Sequence, residues 1–515
     1  MKYLILSLLI LTSGRWPAIA KSNPYRLWIA PAAKKIFKDE APSAGLQTRI
    51  RMAAARNECE ASQLVIHADR NLSLVSASIS SLAGPNGSVL PKEHVHLYRV
   101  AYIHLPHHQK DYPDPLPPLT VPLEIKAGEN QPIWVSVRVP EGVKAGRYRG
   151  EIALVFGDGS ARRVPLELTV WDFEVPVKPS MRTAFGISDG YIAQQHHVPA
   201  GSLKHRKLVE RYYEHLVSHR ISPYSIPGDL FSPSAARYLD DPRVTGFIIP
   251  YSDDEAQLRK TVDYLRQKGW LQKGYFYVVD EPINQDQYNR LKEVCEKIHR
   301  IDPGLKIVAP CYRDPDFGGL TAYDLLAGYV NLWCPETIYY KAEKLLPRQK
   351  MGEEVWWYVC CGPGKPYANF FVDMDAMAHR LLFWQQKKYG VEGLLYWSTT
   401  WWNPSSTKDP WTDIATVKDI NPAVYGDGSL MYPGAKVGID GPVTSMRLEL
   451  ACDGMEDYEY LTLYETIYGP PKTQDLIGRL VKSLTEFSTD PVQLEAIRLE
   501  LGKAIEKGMK KEARQ

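Results

Sequence analysis

Along residues 25–175, apolar and polar positions alternate in short runs separated by turn residues. Runs at 63–67, 95–100, 133–139, 150–156 and 163–170 predict strands, because a period of two places alternate side chains on one buried face. Gly84-Pro85-Asn86-Gly87, Gly157-Asp158-Gly159 and a proline-rich stretch at 111–122 separate them. No helical period intrudes, so this part reads as an N-terminal antiparallel β-sandwich. Val175-Pro176-Val177-Lys178-Pro179 then reads as a stiff linker.

Beyond the linker, apolar runs alternate with amphipathic helical patterns. Strands are predicted at 182–187, 223–226, 246–250, 275–279, 306–309, 330–333, 354–359 and 393–397. Helices are predicted at 203–218, 254–268, 285–301, 322–327, 340–350 and 374–388. Eight strands with intervening helices match a (β/α)8 TIM-like barrel, and no glycine-rich phosphate turn follows the first strand. The remainder predicts a strand near 446–450 and helices at 456–467 and 473–511, a C-terminal extension that closes and buttresses the barrel. The fold class is therefore multidomain, α/β plus all-β. The expected boundaries are 1–20 for an export signal, 21–178 for the sandwich, 179–425 for the barrel and 426–515 for the extension.

The export signal rests on Lys2, an apolar run at 3–11 and Ala18-Ile19-Ala20 as the small-x-small cleavage pattern. That run is too short to span a bilayer. Of 62 basic and 60 acidic residues, cleavage removes Lys2 and Arg15, leaving the two signs balanced. A neutral chain has no counterion-release drive toward nucleic acid and no attraction to anionic membranes. A composition of 44% hydrophobic and 24% charged residues is that of a soluble globular protein, here secreted or periplasmic. Seven scattered cysteines are too few for a disulfide scaffold.

One count bears on chemistry. Tyr (31) and Trp (13) outnumber Phe (12), and eight of the tryptophans fall between Trp333 and Trp411. Clustered aromatics with polar edges suit a cleft that stacks on sugar rings and hydrogen-bonds their rims. Barrel enzymes carry reacting groups at the C-terminal strand ends. There the apolar fourth strand runs directly into Asp280-Glu281-Pro282. A helix-capping role for these acids competes with the chemical one, but Asn284 and Asp286 are better placed to cap.

Conventional retaining glycosidases use two carboxyls about 5 Å apart on opposite sides of the bond, usually from different strands. The seventh strand ends Trp357-Tyr358-Val359-Cys360-Cys361, without a carboxylate. Adjacent acids suit a substrate-assisted route, in which the sugar's own 2-acetamido oxygen attacks the anomeric carbon. Asp280 then orients the acetamide, and Glu281 acts as acid and base. Glu336 is the candidate nucleophile for a conventional mechanism. Of the other strand-end acids, Asp253 and Asp254 are expected to open a helix. For substrate contact the strand-end aromatics Trp333, Tyr358, Trp397, Trp401 and Trp402 are expected. Asn369 either binds a hydroxyl or satisfies its own loop backbone. His104, His107, His108 and the His94-x-His96 pair gather no further ligands, so no metal is expected. Asp453 with Glu456 reads as a capped helix start.

The Tyr277-Val278-Val279-Asp280-Glu281-Pro282 segment resembles glycoside hydrolase family 123, the β-N-acetylgalactosaminidase type, and its wider group of exported barrel proteins. Tyr112-Pro113-Asp114-Pro115, Ala145-Gly146-Arg147-Tyr148, Leu394-Leu395-Tyr396-Trp397 and Asp453-Gly454-Met455-Glu456-Asp457 extend the likeness over most of the chain. The resemblance implies an exo-acting enzyme that removes terminal β-linked N-acetylgalactosamine from glycans or glycolipids, without metal or organic cofactor. It assigns acetamide stabilisation to Asp280 and acid/base work to Glu281. Two alternatives stand beside it: another glycan hydrolase pairing Glu281 with a separate carboxylate, and a non-catalytic carbohydrate-binding protein.

Overall fold

The computed structural model describes residues 24–42, 48–311, 319–405, 409–418 and 420–512. The expected export signal lies outside the described residues. Two sheets form the N-terminal part. One runs in the order Tyr25–Pro31, Glu58–Ala68, Asn130–Val139, Val95–Arg99, antiparallel throughout. The other runs Leu123–Ile125, Leu72–Ile79, Gly146–Phe156, Ala161–Glu174, Ile50–Arg56. Its last pairing is parallel, which departs from a wholly antiparallel sandwich. The departure arises because the chain leaves Ile50–Arg56 through Asn57, at φ 59°, and enters Glu58–Ala68 in the opposite sheet. Leu64, Ile66, Ile133 and Val135 from one sheet share a core with Ile152, Leu154, Leu166 and Leu168 from the other. Burial of these alternate positions is what the two-residue period encodes.

The second part is built on seven parallel strands, ordered Arg182–Phe185, Gly393–Tyr396, Glu354–Tyr358, Leu332–Pro335, Ile307–Cys311, Gly274–Tyr277, Phe247–Ile248. The curved sheet nearly closes. Between its first and last strands lies the chain at 222–224: the Phe185 amide donates to the Ser222 carbonyl (3.1 Å), the Tyr224 amide to the Phe185 carbonyl (2.8 Å), and the Ile248 amide to the Tyr224 carbonyl (2.8 Å). Helices Leu203–Ser218 and Gln285–Ile301 form at their predicted bounds, the second capped by Asn284, which accepts from the Gln287 amide at 3.0 Å. Asp254 caps Glu255–Gln267.

The C-terminal part differs from its sequence reading. Instead of a strand near 446–450, a 23-residue helix, Met446–Tyr468, starts from the Ser445 cap. Asp453 therefore lies inside a helix rather than at its start. The long helix predicted over 473–511 is two, Pro470–Ile477 and Pro491–Glu512. Met446–Tyr468 is buried on nearly every side over its first four turns, so no amphipathic period marks it. It packs on Ala376–Tyr389 at Gly454, where an added Cβ would stand 2.4 Å from the Phe383 ring and 2.7 Å from the Arg380 carbonyl. Pro115–Leu116 pairs with Pro442–Ser445, tying the proline-rich stretch to this extension. Among the described residues, no helix is long and apolar enough to cross a membrane.

Candidate active site

Strand periodicity decides which side chains enter the barrel. Tyr275, Leu332, Cys334, Trp356, Tyr358 and Leu395 form its interior cluster, with Tyr277 and Cys360 against it. The alternate residues Phe276, Trp333, Trp357 and Leu394 pack outward with the helices. Trp333 is thus core: it is fully buried, lies 5.7 Å from Tyr323 and donates its indole N–H to Glu353 at 2.5 Å. Its expected role at the substrate gives way to packing.

At the end of Gly274–Tyr277 the two adjacent acids find different surroundings. Asp280 is exposed and accepts a hydrogen bond from the Tyr277 hydroxyl at 2.6 Å. Glu281 is half-buried and accepts from the Tyr358 hydroxyl at 2.6 Å, across from the Glu354–Tyr358 strand. Burial raises the pKa of Glu281 above the ordinary carboxyl value; the Tyr358 hydrogen bond opposes this, and the Asp280 charge adds to it. Both phenols are pushed far up, mainly by burial and also by the carboxylates they face, so they remain donors. Glu281 adopts φ 37°, a backbone conformation uncommon for a side-chain-bearing residue. Such strain collects where the surrounding structure imposes a functional geometry.

Two further acids face this end of the barrel. Glu336 follows Leu332–Pro335 two residues after inward-facing Cys334, and so falls on the inward side. It is 3% exposed. Burial, reinforced by the charges of Glu281 and Asp427, pushes its pKa up to about 7. Asp427 is 1% exposed and accepts hydrogen bonds from the Trp397 indole at 3.1 Å and the Tyr396 hydroxyl at 3.2 Å. Burial outweighs those bonds and raises it to about 7. Sequence reasoning missed Asp427. Its signal was an acid between two glycines, Gly426 and Gly428, both at positive φ, shortly after the tryptophan-rich stretch. A Cβ on Gly428 would come within 2.3 Å of the Trp397 ring, so the loop lies flat against that indole. Tyr277, the donor to Asp280, was missed too, although its place three residues before Asp280 on an alternating strand marks it as inward-facing.

The remaining expected contacts separate into two groups. Tyr358, Trp397 and Trp401 gather at the strand ends: Trp397 and Trp401 meet edge to face at 4.9 Å, and Trp401 meets Tyr191 at 5.2 Å. Trp402 is fully buried and donates to Ser429 at 2.9 Å. Asn369 is also fully buried, and its amide donates to the carbonyls of Cys360 (2.9 Å), Gly362 (2.9 Å) and Pro363 (3.1 Å). It satisfies the loop backbone, the second of its two readings. Trp402 and Asn369 therefore leave the set of substrate contacts. Cys360 and Cys361 carry thiols 4.0 Å apart, and both are free.

Residues 207–464 match the family model for the glycoside hydrolase 123 catalytic domain, and residues 33–155 match the glycoside hydrolase 123 N-terminal domain. Among solved structures, the fold is similar to that of a family 123 glycoside hydrolase from Clostridium perfringens, studied for glycolipid glycan hydrolysis. The two share 16% identity at a TM-score of 0.69, covering 95% of this chain and 99% of that one. A β-galacturonidase of glycoside hydrolase family 2 from Eisenbergiella tayi, bound to galacturonate, aligns at 9% identity over 84% of this chain and 73% of its own. Its TM-score is only 0.30. No curated protein sequence matches.

Proposed function

The chain belongs to glycoside hydrolase family 123, and from that premise we propose that it is an exported, retaining exo-glycosidase removing terminal β-linked N-acetylgalactosamine from glycans or glycolipids. The observation that carries the mechanism is the pair of separate phenol donors, Tyr277 on Asp280 and Tyr358 on Glu281. They hold neighbouring carboxyls in unlike environments, one exposed and one half-buried with a raised pKa. Unlike surroundings separate the roles of the two acids. Asp280 orients the acetamide N–H and stabilises positive charge as the acetamide oxygen bonds to C1, giving an oxazolinium-like intermediate. Glu281, protonated, gives its proton to the departing glycosidic oxygen. Its carboxylate then takes a proton from the water that opens the intermediate and restores the β-configuration. Trp397 and Trp401, each partly exposed, are the aromatics proposed to stack on the sugar. The substrate preference is supported by the likeness to the Clostridium perfringens enzyme's family.

We read the hydrogen-bonded chain at 222–224 as the eighth strand of a (β/α)8 barrel spanning residues 179–425, with the sandwich at 21–178 and the extension at 426–515. Residues 1–20 are the proposed export signal. A conventional mechanism with Glu336 as nucleophile has one observation in its favour, the inward position of that carboxyl. Turnover of a 2-hydroxy sugar, which has no acetamide to attack, would favour it.

The test is release of the aryl group from a 2-acetamido-2-deoxy-β-galactoside by the mature protein. The gluco epimer and the 2-hydroxy sugar run alongside, and Glu281→Gln serves as control. Turnover confined to acetamido sugars and lost in Glu281→Gln is the expected result. Turnover of the 2-hydroxy sugar would remove the acetamide from the mechanism.

A further inference from the structure

The Glu336 side chain is almost fully buried, and among the described residues no backbone or side-chain N–H or O–H donates to its carboxyl, whose oxygens keep some contact with solvent. It is not an accident of loose packing. Gly362 lies against it so closely that an added Cβ would stand 2.6 Å from Oε1. The Cys360–Gly362 turn is closed by the Cys360 amide donating to the Gly362 carbonyl at 2.8 Å, and Asn369 holds three carbonyls of the same loop. The loop is therefore fixed, with a glycine where the carboxyl needs room. Glu336 also connects to the reacting pair: its backbone bridges that of Tyr358, whose hydroxyl bonds Glu281. Its charge neighbours are two other acids, Glu281 and Asp427.

A carboxyl with no protein donor and little water around it gains most from a ligand that supplies donors. The ligand must bring O–H or N–H groups, and the proposed substrate brings hydroxyls. Asp280 and Glu281 account for C1, the leaving oxygen and the 2-acetamido group. What is left is the far edge of the ring. We propose that Glu336 determines specificity there, its two carboxyl oxygens accepting hydrogen bonds from the C4 and C6 hydroxyls of the sugar being removed. In a galacto-configured sugar the axial C4 hydroxyl and the C6 hydroxyl lie on the same face, so one carboxylate can take both. This rests on the glycosidase reading above and adds the group that recognises the non-reacting edge.

The experiment measures binding of N-acetylgalactosamine and its 4-deoxy and 6-deoxy forms by calorimetry, to the wild-type protein, Glu336→Gln and Gly362→Ala. Arylglycoside kinetics and thermal unfolding run on the same samples. Each deoxy sugar is expected to bind the wild-type protein about 10- to 100-fold more weakly than its parent. Glu336→Gln should bind the parent weakly and distinguish it from the deoxy forms by less than about 3-fold. Gly362→Ala keeps the carboxyl but displaces it, so it should lose discrimination in the same direction. It also reads the proposal should Glu336→Gln not fold.

Discrimination unchanged in both variants overturns the proposal, as does failure of the wild-type protein to bind any of these sugars. Loss of turnover in Glu336→Gln with discrimination intact would make Glu336 a reacting group instead. The acetamide mechanism fails separately. If the wild-type protein prefers 2-hydroxy sugars, the same comparison is made with galactose and its 4-deoxy and 6-deoxy forms, which carry the same two hydroxyls.

Discussion

Two groups of acids in this molecule share residue chemistry and differ in everything around them. Behind the N-terminal sheets, Glu58, Glu60, Asp453 and Asp457 meet Arg380 and Arg498. Arg380 donates to Asp457 at 2.6 and 2.9 Å and to Asp453 at 3.1 Å; Arg498 donates to Asp457 and Glu60, both at 2.5 Å, and to Glu58. Trp384 adds an indole donor to Asp457 at 2.9 Å. At the barrel mouth, Asp280, Glu281, Glu336 and Asp427 have no ion pair with any described Lys, Arg or His; phenols and an indole are their only side-chain donors. Arginines hold Asp457 below its ordinary pKa despite complete burial, whereas Glu336 and Asp427 rise to about 7. Adjacent acids also occur in both places, Asp280-Glu281 and Glu456-Asp457. Burial still raises Glu58 and Asp453 within the arginine-rich group, so the groups differ in their partners: arginines tie one set into the structure, while phenols and an indole leave the other without a cation.

That contrast breaks most sharply in activity. Glu281→Gln should lower kcat about 10²- to 10⁴-fold while leaving the unfolding midpoint nearly unchanged, since no cation is stranded. Asp457→Asn should do the reverse. Freeing Arg380 and Arg498 of their shared partner should cost about 3–5 kcal/mol in denaturant unfolding, with turnover per folded molecule preserved.

The smallest effect sharpens the comparison through pH. In the folded protein Glu336 and Asp427 are pushed up to about 7, above the ordinary carboxyl values of 4.5 and 3.8. The folded protein therefore binds more protons than the unfolded chain in that window. Their stabilising contribution is complete below about pH 4 and is lost as pH rises through about 7. The Glu336→Gln/Asp427→Asn double variant should flatten the decline of thermal midpoint between pH 5 and 8. A steeper decline would refute the assignment. Part of the slope should persist, because Glu456 in the arginine-rich group is also raised, to about 8.

Asp280 and Glu281 were legible in the sequence because one short segment carries the whole signal, an apolar strand run ending in two carboxylates. The strands and most helices were legible for the same reason, since their periods are local. Asp427 was not, because its meaning comes from contact with Trp397, thirty residues away, across a loop that only two positive-φ glycines allow. The phase of a strand was equally hidden. Trp333 and Tyr358 look alike as strand-end aromatics, but a one-residue offset sends the first to the helices and the second to Glu281. The helix Met446–Tyr468 read in part as a strand because neighbours enclose its first turns on all sides, leaving no polar stripe to count. Sequence alone thus determined the order of most strands and helices and pointed to Asp280 and Glu281, through patterns that repeat within a few residues. Tertiary structure decided which acids are left without a cation and which aromatics face the barrel interior, because both depend on neighbours far away in the chain.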